Sequence, residues 1–155
     1  MIKWFKDIQP ADFAAVGGKG LRLAQLHNAG QIVPDGFVLT SEAYATFVDQ
    51  NDLAAAIDAI LAQNRSPHES AAQIKGIFQG DHLPDSLKTA LLEAFGQLAA
   101  DRVAVRSSST AEDLPGQSFA GQYSSYLNVT AADLVDSVMR CWQSLWNEQA
   151  IAYRR

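Results

Sequence analysis

A lysine framed by glycines is the first group in the sequence that could bind an anion. Lys19 lies within Val16-Gly17-Gly18-Lys19-Gly20, and a stretch with helical spacing follows it. Glycines let the backbone approach a ligand closely, and the N-terminus of a helix favours negative charge. The segment is not a Walker A loop, which requires Gly-x-x-x-x-Gly-Lys followed by Ser or Thr. From this segment alone, a solvated lysine in a flexible turn is at least as well supported as a phosphate-binding one.

An arginine followed by four hydroxyl side chains is the second candidate. Val103-Ala104-Val105 has the composition of a buried strand that ends in Arg106, and Ser107-Ser108-Ser109-Thr110 follows. A guanidinium group can present two parallel N–H groups to phosphate oxygens. The alternative is a salt bridge to Glu112 or Asp113, which lie close in sequence. The residues alone leave both interpretations open.

The third element is a loop of small residues that runs from Asp113 to Gln122. Its backbone N–H groups could face a polyphosphate, and Phe119 could exclude water from the site. A hairpin connection between two strands would also explain the glycines. That alternative gives no reason for the neighbouring arginine and hydroxyl run.

Short strands and amphipathic helices are predicted to position these groups, which indicates a mixed α+β domain. The predicted strands are Ile2 to Phe5, Phe37 to Leu39, Val103 to Val105 and Tyr123 to Val129. Six helices are predicted. The first carries Leu23 and Leu26 and ends before Gly30, and the fourth begins at the capping signal Ser66-Pro67-His68-Glu69. The other four run from Thr40 or Ser41 to Val48, from Leu53 to Leu61, from Leu87 to Leu98, and from Thr130 to Trp146. The polar region from Gln63 to His82 is predicted to be a variable excursion, and Cys141 a buried thiol on the last helix.

Composition limits the class of protein. The chain has 155 residues, 48% of them hydrophobic, which suits a single domain over 1–155. A net charge of −5 argues against a general nucleic-acid binder. One cysteine allows no intramolecular disulfide and no thiolate metal cluster. Without an apolar run long enough to span a membrane or a signal peptide, we expect a soluble, cytoplasmic protein.

Taken together, these segments resemble the N-terminal ATP-binding region of the phosphoenolpyruvate synthase and pyruvate phosphate dikinase family, a region that rifampicin phosphotransferases share. The resemblance is carried by Val16-Gly17-Gly18-Lys19-Gly20, Val33-Pro34-Asp35-Gly36-Phe37-Val38-Leu39-Thr40, Val105-Arg106-Ser107-Ser108-Ser109-Thr110-Ala111-Glu112-Asp113-Leu114-Pro115, Ser118-Phe119-Ala120-Gly121-Gln122, Leu127-Asn128-Val129, and the last helix with Trp142, Leu145, Trp146 and Tyr153.

The resemblance implies an ATP-grasp type of site in which ATP is held between two subdomains. By similarity, Lys19 and Arg106 would hold the phosphates as catalytic residues. Gly121 would belong to a loop that closes over them, and Ser125 is a weaker candidate for nucleotide binding. Transfer would need Mg²⁺, whose ligands are expected outside this chain.

The resemblance also implies that the chain is the first part of a longer enzyme. In the family, phosphate passes from ATP to a histidine on another domain and then to an acceptor, for which pyruvate is our first expectation. His27, His68 and His82 lie in no such motif, so the chain alone is expected to be inactive. Its partners would be the missing subdomain and the phosphohistidine domain, and an exposed apolar face could cause self-association. The alternatives are a rifampicin-type phosphotransferase or a non-catalytic nucleotide-binding module.

Overall fold

The fold combines short strands with helices. The computed structural model describes residues 1–78, 83–108 and 125–154. The strands are β1 (Ile2–Trp4), β2 (Phe37–Leu39), β3 (Val103–Arg106) and β4 (Ser125–Val129). The helices are α1 (Phe13–Asn28), α2 (Ser41–Gln50), α3 (Leu53–Leu61), α4 (Pro67–Ile77), α5 (Asp85–Gln97), α6 (Leu134–Gln143) and α7 (Glu148–Arg154). The predicted α+β class is confirmed.

The strands form two separate antiparallel pairs. β1 pairs with β2 so that Ile2 faces Leu39, and β3 pairs with β4 so that Arg106 faces Ser125. A two-stranded sheet has little stability of its own in water. Each pair therefore depends on the helices that pack against it.

An aromatic group lies in the larger of two hydrophobic clusters. The ring of Phe47 lies 5.1 Å from that of Trp142 and 5.7 Å from that of Phe78, measured between centroids. Tyr44 packs edge-on against Trp142, and its hydroxyl accepts a 2.9 Å hydrogen bond from the indole of Trp146. These contacts join α2 to the C-terminal helices. The smaller cluster packs α1 against the N-terminal segment through Phe5, Ile8, Val16 and Ala24.

The region predicted to be a variable excursion contains a core helix. α4 begins with the expected capping box: the Ser66 hydroxyl accepts from the Glu69 N–H at 3.2 Å, and the Glu69 carboxylate accepts from the Ser66 N–H at 3.1 Å. The Ser66 hydroxyl also donates to the Glu69 carboxylate at 2.7 Å, and this hydrogen bond, together with that from the Ser66 N–H, lowers the pKa of Glu69. Ser70 and Ile74 on the same helix are 0% exposed. The few apolar positions of a mostly polar sequence thus suffice to anchor it, while His82 lies outside the described residues.

The predicted last helix is in fact two. α6 begins only at Leu134, because residues 130–133 form a turn in which the Thr130 hydroxyl donates to the Asp133 carboxylate at 2.7 Å. A short 3₁₀ turn follows α6, and the backbone of Asn147 is extended. The side-chain oxygen of Asn147 accepts from the Ala150 N–H at 2.8 Å and so caps α7. The sequence prediction missed this cap and the helix after it.

Two smaller predictions are corrected as well. Thr40 does occupy the position before α2, but its hydroxyl donates to the carbonyl of Met1 at 3.2 Å instead of capping the helix. Leu26, which the helical spacing places on one face with Leu23, is 47% exposed. Among the described residues, no helix is long and apolar enough to cross a membrane.

Replacing Trp142 tests the aromatic group. Since Trp142 is only 9% exposed and contacts two other rings, Trp142→Ala should lower the free energy of unfolding by about 3–5 kcal/mol. Urea denaturation measures this change. Ile32→Ala, at a fully exposed apolar position, is the control and should stay within about 0.5 kcal/mol of the parent. A Trp142 variant as stable as the parent would remove this ring from the core.

Candidate functional site

The glycine-framed lysine lies on a helix that is broken at one residue. Gly17 has φ 70° and ψ 171°, and the residues on either side of it are helical. The glycines were expected to precede the helix. Instead they lie inside α1, where Gly18 and Gly20 are buried and Lys19 is half-buried. A positive φ is strained for residues with a Cβ atom, so Gly17 permits the break.

The end of β3 approaches this break closely. A Cβ atom at Gly17 would lie 1.8 Å from the carbonyl oxygen of Ser108. A Cβ atom at Gly20 would lie 3.0 Å from a methyl group of Val38 and 3.3 Å from the Ser108 hydroxyl. The absence of side chains at these two positions allows the backbone of Ser108 to approach Gly17 and the side chains of Val38 and Ser108 to approach Gly20.

Three hydrogen bonds join the two segments across the fold. The Ser108 hydroxyl accepts from the Gly20 N–H and donates to the Val16 carbonyl, both at 2.7 Å. The ammonium group of Lys19 donates to the Ser107 carbonyl at 2.8 Å. The lysine is thereby fixed beside the strand end that carries Arg106.

Lys19 and Arg106 line one cavity of about 920 Å³ between the two sheets. Arg102, which precedes β3, also lines this cavity, although it was not predicted from the sequence as a site residue. Among the described residues that line the cavity, these three cations face a single carboxylate, Asp35. The described part of the lining is therefore positively charged, although the chain is negative overall. Aromatic and aliphatic groups form much of the remaining wall: Phe37, Val38, Tyr44, Leu91, Leu127, Leu134, Val138, Trp142 and Leu145.

Ser125 lies directly opposite Arg106 in the β3–β4 pair. Paired residues of antiparallel strands project from the same face of the sheet, and both of these are exposed. The strand pairing thus brings together two of the predicted site residues. Gly121, Phe119 and the carboxylates of Glu112 and Asp113 lie outside the described residues.

The interaction of the hydroxyl run with α1 was not predicted from the sequence. Ser108 was grouped with residues that might face a phosphate, yet its side chain bonds to α1. The available signal was the coincidence of a Gly-rich segment with a run of small residues, both of which permit close backbone approach. The spacing of these two segments along the chain does not indicate that residues 88 positions apart form a hydrogen bond.

Cys141 lines the same cavity as a buried thiol, as predicted. Burial raises its pKa to about 11, and the nearby charge of Lys19 opposes that shift. The thiol is therefore neutral at physiological pH and a poor nucleophile there.

The described residues do not offer a metal site. Across 1–78, 83–108 and 125–154, no group of three or more His, Cys, Asp and Glu side chains is placed to hold a metal ion. Mg²⁺ prefers several oxygen ligands in octahedral geometry, and the cavity presents cations instead. The described residues therefore do not fit a Mg²⁺ ion, and we assign no role in binding this metal to any of them.

Comparison with known proteins identifies relatives along almost the whole chain. Residues 13–155 match the family described as pyruvate phosphate dikinase, AMP/ATP-binding domain. The chain is 39% identical over 167 residues to phosphoenolpyruvate synthase from Aeropyrum pernix, covering 99% of this chain and 20% of that protein. It is 34% identical over 197 residues to phosphoenolpyruvate synthase from Pyrococcus furiosus, covering 99% and 24%. The chain thus spans a quarter or less of these relatives.

Alanine at Gly17 tests the close approach. Gly17→Ala combines a positive φ with a Cβ atom 1.8 Å from a backbone oxygen, so it should destabilise the fold by about 2–4 kcal/mol. Gly30→Ala is the matched control, because Gly30 has φ 72° but no atom within 4 Å of the added Cβ. It should cost about 1 kcal/mol. Equal losses in urea denaturation would contradict the contact with Ser108.

Alkylation of Cys141 tests its environment. Since the thiol has a pKa near 11, its rate of reaction with iodoacetamide in the folded chain should still rise about tenfold per pH unit from pH 8 to 10. In urea-unfolded chain the rate should level off near the ordinary thiol pKa of about 8.5. A folded-state profile that levels off at the same pH would contradict the burial of this group.

Proposed function

This chain belongs to the pyruvate phosphate dikinase AMP/ATP-binding domain family, and from that premise we propose that Lys19 and Arg106 hold the phosphates of ATP. The observation that carries the proposal is their convergence. Residues from α1 and β3, far apart in sequence, line one cavity and are joined by the Lys19–Ser107 hydrogen bond. The excess of cations over carboxylates on the described walls suits a polyanionic ligand.

The two cations would make different contributions. The Arg106 guanidinium can donate two parallel hydrogen bonds to phosphate oxygens and fix their orientation. The Lys19 ammonium is a compact charge with three donors, one of which contacts the Ser107 carbonyl. Beside apolar walls, both charges would stabilise the negative charge that moves between oxygens during phosphoryl transfer.

Two further residues belong to the proposed site. Ser125 faces Arg106 across the strand pair, where its hydroxyl could contact the same phosphate. Gly121 occurs in the segment that links β3 to β4, and its proposed role is in a loop that covers the nucleotide. Both assignments rest on the family resemblance.

For the whole enzyme we propose ATP-dependent phosphoryl transfer through a phosphohistidine, with pyruvate as acceptor. The support is that the relatives named above are phosphoenolpyruvate synthases of which this chain covers a quarter or less. The two described histidines do not line the cavity: His27 lies 3.6 Å from Asp35, and His68 lies 3.3 Å from Glu148. This placement suits a phosphocarrier histidine on another domain. The proposed Mg²⁺ ligands would likewise come from residues other than the described ones.

Nucleotide titration of the chain and its variants tests the proposal. We expect a non-hydrolysable ATP analogue with Mg²⁺ to bind the chain with a Kd around millimolar, or about −4 kcal/mol. Lys19→Ala and Arg106→Ala should each raise the Kd at least about tenfold, because each removes a charge-assisted contact of about 1.5–3 kcal/mol. Chemical-shift titration measures such weak binding.

Matched controls separate a specific contact from general loss of positive charge. Lys75→Ala and Arg140→Ala remove the same charges from exposed positions that do not line the cavity. They should leave the Kd within about twofold of the parent. If the control and site variants weakened binding equally, the assignment of Lys19 and Arg106 would be wrong.

A further inference from the structure

We infer that Ser108 is a positioning residue for nucleotide binding, whose hydroxyl group replaces one hydrogen bond of α1 and so fixes Lys19 relative to Arg106. This inference deepens the proposed function and rests on it. Ser108 itself need not touch the nucleotide, since its hydroxyl is engaged by backbone groups of α1.

The geometry of the break in α1 carries the inference. In an uninterrupted α-helix the Gly20 N–H would donate directly to the Val16 carbonyl, four residues earlier. Here the Gly20 N–H donates to the Ser108 hydroxyl, which donates in turn to the Val16 carbonyl, each at 2.7 Å. A side chain inserted into the hydrogen-bond ladder in this way is a recognised cause of helix kinks. The kink at Gly17 lies between the two bonded residues.

The inserted hydroxyl determines where Lys19 lies. Lys19 directly precedes Gly20, and its ammonium contacts the carbonyl of Ser107, the neighbour of Ser108. Arg106 precedes Ser107 on the same strand. Two consecutive residues after β3 therefore hold the glycine segment by three hydrogen bonds, two of which depend on the Ser108 side chain.

Removing the hydroxyl should release this arrangement. In Ser108→Ala, the Val16 carbonyl and Gly20 N–H lose their shared partner in a part-buried position. They can regain a hydrogen bond by closing the helix directly, which would straighten α1 at Gly17. That movement would shift Lys19 away from the end of β3.

The first experiment needs no nucleotide. Trace acetylation of the folded chain, read by mass spectrometry of the Lys19 peptide, reports the accessibility of its amine. Ser108→Ala should raise the Lys19 rate at least about threefold, because the ammonium would move away from the Ser107 carbonyl that it contacts in the parent. Ser144→Ala is the matched control, since Ser144 also donates to a backbone carbonyl, that of Cys141 at 2.6 Å, but within one helical region. An unchanged rate in Ser108→Ala would overturn the inference.

The second experiment is a double-mutant cycle for binding of the ATP analogue. Ser108→Ala alone should raise the Kd about threefold to tenfold, and by less than about twofold when Lys19→Ala is already present. A purely structural role would give equal factors in both backgrounds and would contradict a role through Lys19. Ser144→Ala should leave the Kd unchanged in both.

Further measurements keep the two claims separate. Failure of the parent chain to bind the analogue would count against the proposed function, and acetylation alone would then decide the role of Ser108. Thermal unfolding followed by circular dichroism establishes that each variant is folded.

If Ser108→Ala is unfolded, Ser108→Cys, which has similar size and a weaker S–H donor, replaces it under reducing conditions. It should raise Lys19 acetylation, and a parent-like rate would overturn the inference.

Discussion

The close approach of the kink in α1 to the end of β3 is the constraint on which the site depends. Gly17 adopts a positive φ and leaves no room for a Cβ atom, and the Ser108 hydroxyl occupies the gap that the kink opens between Val16 and Gly20. This contact joins the two segments that carry the cations. The local irregularity of one helix thus shapes one part of the cavity wall.

The cavity differs in charge from the rest of the molecule. The chain carries a net charge of −5, whereas the described cavity lining has Lys19, Arg102 and Arg106 against Asp35. Lys19 is half-buried, so solvent screens its charge less than the charges of the exposed Arg102 and Arg106. Cys141, another lining residue, remains a neutral thiol because burial raises its pKa. The described lining therefore favours an anionic ligand, and its one thiol is not a reactive nucleophile at physiological pH.

Local features of the fold could be predicted from the sequence. The capping box at Ser66, the leucine spacing of α5 and the strand that ends in Arg106 depend on residues within a few positions of one another, and the structure has all three. The family was also recognisable, because its motifs are long and nearly continuous in this chain. The likeness to rifampicin phosphotransferases stays a prediction.

Features that depend on distant partners could not be predicted. The role of Ser108 requires a meeting of segments 88 residues apart, and the burial of Ile74 requires other helices to cover α4. The cap at Asn147 was a local signal that went unnoticed within a longer helical pattern. Of the candidate site, the residue types of Lys19 and Arg106 were evident from the sequence, but their convergence required the fold.

The most direct test of the account is an NMR titration of ¹⁵N-glycine-labelled chain with inorganic tripolyphosphate. Gly17 and Gly20 line the cavity beside Lys19, whereas Gly76 and Gly96 lie on α4 and α5 away from it. We expect the amide signals of Gly17 and Gly20 to shift in a saturable manner and those of Gly76 and Gly96 to stay unchanged. Unchanged signals at Gly17 and Gly20, or equal shifts at all four glycines, would contradict a phosphate site at this wall of the cavity.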